Sequence, residues 1–379
     1  MNDKLRRAAS NAVWAACRLL PVKGNKVVFS SFGGKGFGDN PKAVAQALLE
    51  SGEDLDLVWL TRDPGISLPD GIRPCPFGTP QAAMELSTAR VWVDNSRGGA
   101  HYKRKNQRYL QTWHGFALKK IEAAAQEQLP EHYVNQCKKD SGFTDLMVSN
   151  SDFMTRVYQR DFWYSGEVAK FGSPRNDIFF RDNAGLKDGI RRFFGLPEDR
   201  KLLLYAPTFR ADGAGLDCYA LDCGSALAAC RERFGGEWSA LIRLHPNVAA
   251  QSVGLFPYDG TRIVNATVYP DMQELLAGVD LLVTDYSSSM FDYALSGKPC
   301  IQFALDIEEY QKDRDFYFPI DGLPFPLARS GGELTAAIRN YDAETCRAKW
   351  QKFYDDNGFF EDGRAAQRCA EWILAWVKG

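Results

Sequence analysis

Apolar residues in this chain come in short continuous runs more often than in alternating ones. Val279–Val283, broken only by Asp280, is the clearest case, and it reads as a parallel strand buried on both faces. Comparable runs predict strands at Lys26–Ser31, Leu55–Leu60, Val91–Val93, Arg108–Thr112 and Leu146–Ser149 in the first half. A second series falls at Leu202–Tyr205, Ser239–Leu244, Arg262–Asn265, Leu281–Thr284 and Cys300–Phe303. Helical patterns lie between them, the first from about Pro41 to Glu50. Strand and helix alternate, so the expected class is α/β with doubly wound sheets. The charged stretch Arg175–Arg200 places a junction between domains at 23–180 and 181–379. Glu344–Lys378 reads as helices separated by DDNGFFEDG, candidates to pack back on the first domain.

Residues 1–22 stand apart. On a helical wheel Lys4, Arg7, Asn11 and Arg18 share one face, and Leu5, Ala9, Ala12, Ala16, Leu19 and Leu20 lie opposite. Such a short basic amphipathic helix, ending at Pro21, suits a membrane surface as well as it suits packing on its own protein. No apolar run is long enough to span a bilayer, and no signal peptide is evident.

Composition narrows the classes further. At 379 residues and 45% apolar, the chain has material for two cores. A net charge of −2 gives no general argument for nucleic acid. The nine cysteines show no CxxC pair and no neighbouring histidine, so neither a metal site nor a disulfide framework is expected.

Candidate chemistry gathers where strands end. Tyr286-Ser287-Ser288-Ser289 forms a strand-to-helix turn before a helix from Met290 to Leu295, flanked by Asp285 and Asp292. Three serines exceed what one N-cap needs, so the turn is a candidate anion site at the carboxyl end of a parallel sheet. His114, in YLQTWHGFALKKI, follows a strand and precedes Gly115, a place suited to acid–base work, with Lys119 and Lys120 nearby. Arg243 and His245, two apart at a strand end, point the same way and suit a phosphate with developing charge. In YAPTFR, Thr208 and the N–H groups after Pro207 can line a phosphate, and Arg210 adds charge. Arg175, in FGSPRND, either reaches a ligand or makes a structural ion pair. The glycine-rich GGKGFGDNP matches neither the dinucleotide fingerprint nor a Walker A loop. Two histidines and at least three arginines on strand ends of both halves argue for a phosphate-bearing ligand held by two Rossmann-like domains.

QTWHGFALKKI, SPRND, YAPTFR, IRLHP and TDYSSSMFDYALSGKP, in that order, resemble the motifs of the CDP-glycerol:poly(glycerophosphate) glycerophosphotransferase family, which includes teichoic-acid primases and polymerases and related capsule polymerases. The resemblance implies a GT-B fold, two Rossmann-like domains with an interdomain active-site cleft. It implies transfer of an alditol phosphate from CDP-glycerol or CDP-ribitol to a hydroxyl of a lipid-linked saccharide or polyol-phosphate acceptor, with release of CMP. The setting it implies is peripheral, on the cytoplasmic face of the cell membrane. No cofactor, metal or nucleic acid is expected. Position by position, His114 matches the proposed base of the WHG motif and Gly115, Phe116, Ala117 and Leu118 the donor-binding turn. Arg175 matches a donor-phosphate arginine, and Pro207, Thr208, Arg243, His245, Ser287, Ser288 and Asp292 match further donor positions, with His245 stabilising charge on departing CMP. Asp271 or Glu274, in VYPDMQELL, is the candidate for the ribose of such a donor, as acidic residues hold ribose hydroxyls elsewhere. Phe116-Ala117 departs from the Thr-Pro common in the family. A UDP-sugar glycosyltransferase or epimerase of the same fold is the alternative enzyme, and a nucleotide-sensing scaffold the non-enzymatic one.

Overall fold

A computed structural model describes residues 3–98, 102–210, 216–244, 254–313 and 315–377. Seven strands, β1 (Lys26–Ser30), β2 (Asp56–Thr61), β3 (Ile72–Pro76), β4 (Val91–Asp94), β5 (Arg108–Gln111), β6 (Leu146–Ser149) and β7 (Glu167–Lys170), make one parallel sheet in the order 3-2-1-4-5-6-7. Six more, β8 (Lys201–Tyr205), β9 (Trp238–Ile242), β10 (Ile263–Asn265), β11 (Leu281–Thr284), β12 (Cys300–Phe303) and β13 (Leu327–Ala328), make a second in the order 10-9-8-11-12-13. Each order reverses once, between β1 and β4 and between β8 and β11, as in doubly wound nucleotide-binding sheets. The expected α/β class with two Rossmann-like sheets is therefore what the chain adopts.

The continuous apolar runs are explained by burial on both faces. In β1, Val27 and Phe29 pack with α2 (Asp39–Glu50) and with the C-terminal helix Ala365–Val377. Val28, pointing the other way, packs with Ala82 of the helix Pro80–Thr88 and with Trp92. Each such fully buried large side chain contributes about 1.5–3 kcal/mol. β3, β7 and β13 escape the sequence pattern, and all three are sheet edges. An edge strand has one unpaired side, tolerates the two prolines of Ile72–Pro76, and needs no run of apolar residues.

The chain divides into two units. One holds Met1–His114, Ile121–Asp177 and Phe359–Gly379, and the other Gly115–Lys120 and Ile178–Gly358. The last helix joins the first unit through a local hydrogen-bond anchor. Asp177 accepts from the N–H groups of Ala365 and Ala366 at 3.0 and 2.8 Å, capping that helix from a remote part of the chain. Glu361, just before it, accepts from Asn150, Ser173 and Asn176.

Replacing Asp177 by Ala removes two charge-assisted bonds and should cost about 1–3 kcal/mol. Faster amide exchange confined first to Ala365–Val377 is the expected readout, with Asp177→Asn milder than Asp177→Ala.

Candidate functional site

In the first unit the loops at the switch point are held by a buried polar network. β1 leads into a turn of left-handed residues, Phe32, Gly33, Gly34 and Gly36. A Cβ on Gly34 would stand 2.9 Å from Phe77, so glycine is required for contact as well as for φ. The turn is pinned, since Arg62 donates to the Gly33 and Gly34 carbonyls and Trp59 to that of Gly36. It delivers Asp39, at φ 61°, to the start of α2.

Asp39 accepts from Asn95 Nδ2 at 2.9 Å and pairs with Arg175 at 2.6 Å. Arg175 donates onward to the His114 carbonyl at 2.7 Å, while its own N–H bonds Asn40 Oδ1. Asn40 in turn donates to the Trp113 carbonyl at 2.9 Å. Burial pushes the Asp39 carboxyl up, yet Arg175, Asn95 and the Asn40 N–H hold it below its ordinary value. Of the two readings open for Arg175, the structure supports the ion pair, with the guanidinium only 8% exposed.

His114 completes this arrangement. Its Nδ1 lies 2.5 Å from the Asn95 carbonyl oxygen. A carbonyl can only accept, so Nδ1 carries the hydrogen and Nε2 of the neutral ring is an acceptor. Trp113 stacks on the ring at 4.2 Å and Phe32 meets it edge-on at 5.3 Å. Burial lowers its pKa below 6.5, and nearby Arg175 works the same way, against the Asn95 carbonyl and Asp39. The imidazole is thus neutral at pH 7, oriented, and able to take a proton at Nε2. Sequence reasoning missed Asp39, Asn40 and Asn95. A signal was present, since Asp-Asn follows a predicted strand in GDNP and again in VDNS.

Past His114 the chain enters the second unit. Phe116 is buried against Phe291, Phe318 and Phe353, and Ala117 and Leu118 are buried too. These side chains anchor the segment, so only its backbone and Gly115, at φ 143°, are suited to meet a ligand. Lys120 pairs with Asp315 at 2.9 Å and Lys119 stands 5.0 Å over Tyr310.

At the switch point of the second sheet, Asp285 after β11 accepts from the Thr208 N–H at 2.8 Å and pairs with Arg210 at 2.8 Å. Arg210 also makes a two-pronged contact with Asp306 and lies among Tyr219, Tyr286 and Tyr310. Burial opposes its charge, but Asp306 and Asp285 keep it protonated. The expectation that Arg210 lends charge to a phosphate is therefore corrected: a guanidinium neutralised by two carboxylates holds the YAPTFR loop. Pro207 is buried there, and the Thr208 hydroxyl is buried with no hydrogen-bond partner in the structure. Within the serine turn the roles separate. Ser287 Oγ accepts from the Ser289 N–H and exchanges a bond with its hydroxyl, the work of a cap. Ser288 makes no side-chain cap bond.

Arg243 behaves differently from Arg175 and Arg210. It donates to the Ala266 and Tyr269 carbonyls at 3.1 and 2.5 Å, and among the described residues it makes no ion pair. Burial lowers its pKa against the pull of Asp271, so an anion would be welcome beside it. Asp271 and Glu274 were expected at the ribose. Asp271 is buried and caps Met272–Gly278 through the Gln273 and Glu274 N–H groups, and Glu274 accepts from Tyr269. Both thus have structural duties that the sequence did not reveal. Asp292 is buried, accepting from Gln273. His245 lies outside the described residues.

Arg210→Ala would leave two carboxylates without their buried partner and should cost about 3–5 kcal/mol of stability. A ligand-only arginine would instead leave thermal unfolding unchanged and alter substrate affinity.

Comparison with known proteins follows the same geometry. The profile of the CDP-glycerol:poly(glycerophosphate) glycerophosphotransferase family matches residues 13–375. The teichoic acid poly(glycerol phosphate) polymerase of Bacillus subtilis (strain 168) is 30% identical over 99% of this chain and 52% of its own length. The teichoic acid glycerol-phosphate transferase of Staphylococcus aureus (strain NCTC 8325 / PS 47) is 30% identical over 99% of this chain and 100% of its own. The chain thus spans about half the length of the Bacillus subtilis polymerase and the whole of the transferase. A solved structure of the wall teichoic acid polymerase TagF superimposes with a TM-score of 0.84 at 28% identity, covering 100% of this chain and 95% of that one. The S. aureus MnaA–UDP co-structure, at 14% identity and a TM-score of 0.53, shares the fold alone. Matched from end to end in sequence and in fold, this chain belongs to the CDP-glycerol:poly(glycerophosphate) glycerophosphotransferase family.

Proposed function

We propose that this protein transfers glycerol phosphate, or another alditol phosphate, from a CDP-alditol to a hydroxyl of a lipid-linked or polymeric acceptor, releasing CMP. The observation that carries the reading is the state of His114, a neutral imidazole whose Nδ1–H is fixed by Asn95 while Nε2 accepts. Binding alone has no need of an oriented proton acceptor. Family membership supplies the donor class, as does a TagF variant soaked with CDPG that superimposes at a TM-score of 0.82.

His114 Nε2 takes the proton from the acceptor hydroxyl, and the resulting oxygen attacks the β-phosphorus of the donor. The new P–O bond forms as the bond to the CMP oxygen breaks, and CMP leaves with that electron pair. Arg243, the Thr208 and Ser288 hydroxyls and the Gly115 backbone bind the diphosphate, and His245 offsets the charge passing to CMP. Asp39, Asn40, Asn95 and Arg175 position the base. The membrane side of the reading rests on α1 (Asp3–Cys17) and the residues after it. Ala9, Ala12 and Ala16 are exposed, Leu19 is 88% exposed and Leu20 is 41% exposed, leaving an apolar stripe facing outward. Among the described residues no helix is long and apolar enough to cross a membrane. The cytoplasmic membrane face is the proposed location.

Incubation with CDP-glycerol and CDP-ribitol against lipid-linked acceptors, reading CMP and product mass, tests the assignment. UDP release from a UDP-sugar with no CMP from either donor would overturn it. His114→Ala should lower kcat about 10²–10⁴-fold with the fold retained. Because the His114 pKa lies below 6.5, kcat/KM should stay level down to that pH and fall only beneath it. Below 6.5 the unfolded chain binds the proton first, so stability should also decline there.

A further inference from the structure

A cavity of about 550 Å³ lies in the first unit, on the sheet face opposite α2. None of His114, Asn95, Asp39 and Arg175 lines it. Val13 and Trp14 of α1 line one side, Ala83 of the helix Pro80–Thr88 another, and Leu60 and Trp92 belong to the sheet. The volume falls in the range of ligand pockets rather than packing defects, and a hydrocarbon-lined space of this kind accepts apolar guests. Ala9 and Ser10, both exposed, also line it, so it reaches the surface along α1. That helix is moored at its edge, with Trp14 stacked on Tyr102 at 4.2 Å and Tyr102 donating to Asn11.

One end of the cavity is polar. Ser30 and Asp94 are register partners at the carboxyl ends of β1 and β4, and both line it. Ser30 is 5% exposed, and its hydroxyl has no hydrogen-bond partner in the structure. A buried hydroxyl without a partner is costly unless a guest supplies one. Burial pushes the Asp94 carboxyl up to about 7, so near neutral pH about half of it carries a proton that it can donate. Arg97, the other charge-bearing liner, is neutralised by Glu122 and Asp140 at 3.0 and 3.1 Å. The chamber therefore offers apolar walls, hydrogen-bonding groups at one end, and no free positive charge to attract an anion.

We propose that this cavity binds a neutral single-chain amphiphile, an alkyl or prenyl chain ending in a hydroxyl or ester oxygen, with the oxygen at Ser30 and Asp94 and the chain lying under α1. This site is separate from the transfer chemistry, and its test does not depend on turnover.

Titration calorimetry of the full chain with 1-octanol, 1-decanol and decyl phosphate, each below its aggregation limit, is the test. One saturable site for 1-decanol is expected, about fourfold tighter per added methylene and at least tenfold weaker for the anionic decyl phosphate. Ala9→Trp and Val13→Trp fill the space from the surface helix, and each should weaken 1-decanol at least tenfold with unfolding temperature unchanged. Ser30→Ala should weaken it about threefold to tenfold. Absence of saturable binding, equal binding by both filled variants, or uptake only in the presence of phosphatidylcholine vesicles would overturn the proposal.

Discussion

Arg175 and Asp39, 2.6 Å apart and both nearly out of solvent, are the constraint on which the arrangement around His114 depends. Taking two charges from water costs several kcal/mol per ion, and their attraction offsets this only with further hydrogen bonds in place. Here those bonds come from two other segments and from the residue next to Asp39. Asn95 follows β4, the His114 carbonyl follows β5, and Asn40 opens α2. With Arg175 itself following β7 and Asp39 following β1, one ion pair thus ties together the segments leaving four strands. Because the His114 backbone is held on one side and Nδ1 on the other, the ring is left little choice of tautomer or direction.

The second sheet solves the same problem in the same way. Arg210, with Asp285 and Asp306, joins the loop after β8 to those after β11 and β12. In both units the arginine nearest the switch point neutralises carboxylates instead of facing outward. Arg243, half-buried and bonded to carbonyls, is the contrasting case. Carbonyl oxygens orient a guanidinium without cancelling its charge, and it is that residual charge which suits a diphosphate.

The first helix has a divided surface. Val13, Trp14 and Cys17 turn partly inward, Ala12 and Ala16 face solvent, and Ala9 stands at the border, exposed and at the mouth of the cavity. The docked edge and the exposed alanines are adjoining strips of one helix, so packing on its own unit still leaves Ala12 and Ala16 open to another surface. The wheel presented the two as alternatives because it shows which residues share a face, and not which face is covered.

The sequence by itself determined the central strands, the parallel class and the place of each motif. Runs such as Leu281–Thr284 are apolar throughout because both sheet faces are covered, and that requirement is written locally. Edge strands Ile72–Pro76, Glu167–Lys170 and Leu327–Ala328 carry no such requirement and became visible only when paired. His114, Ser288 and Thr208 were legible as candidates because motif and strand end coincide. What each polar side chain does was decided by tertiary structure. Arg175, Arg210 and Asp271 looked in sequence like ligand groups, yet their partners are Asp39, Asp285 with Asp306, and a helix N-terminus. Two of these three partnerships join residues far apart in the chain, and the third needs the helix to form first. An arginine's charge is the same in every sequence, and only the distance to the nearest carboxylate, set by the fold, decides whether any of it is left for a substrate.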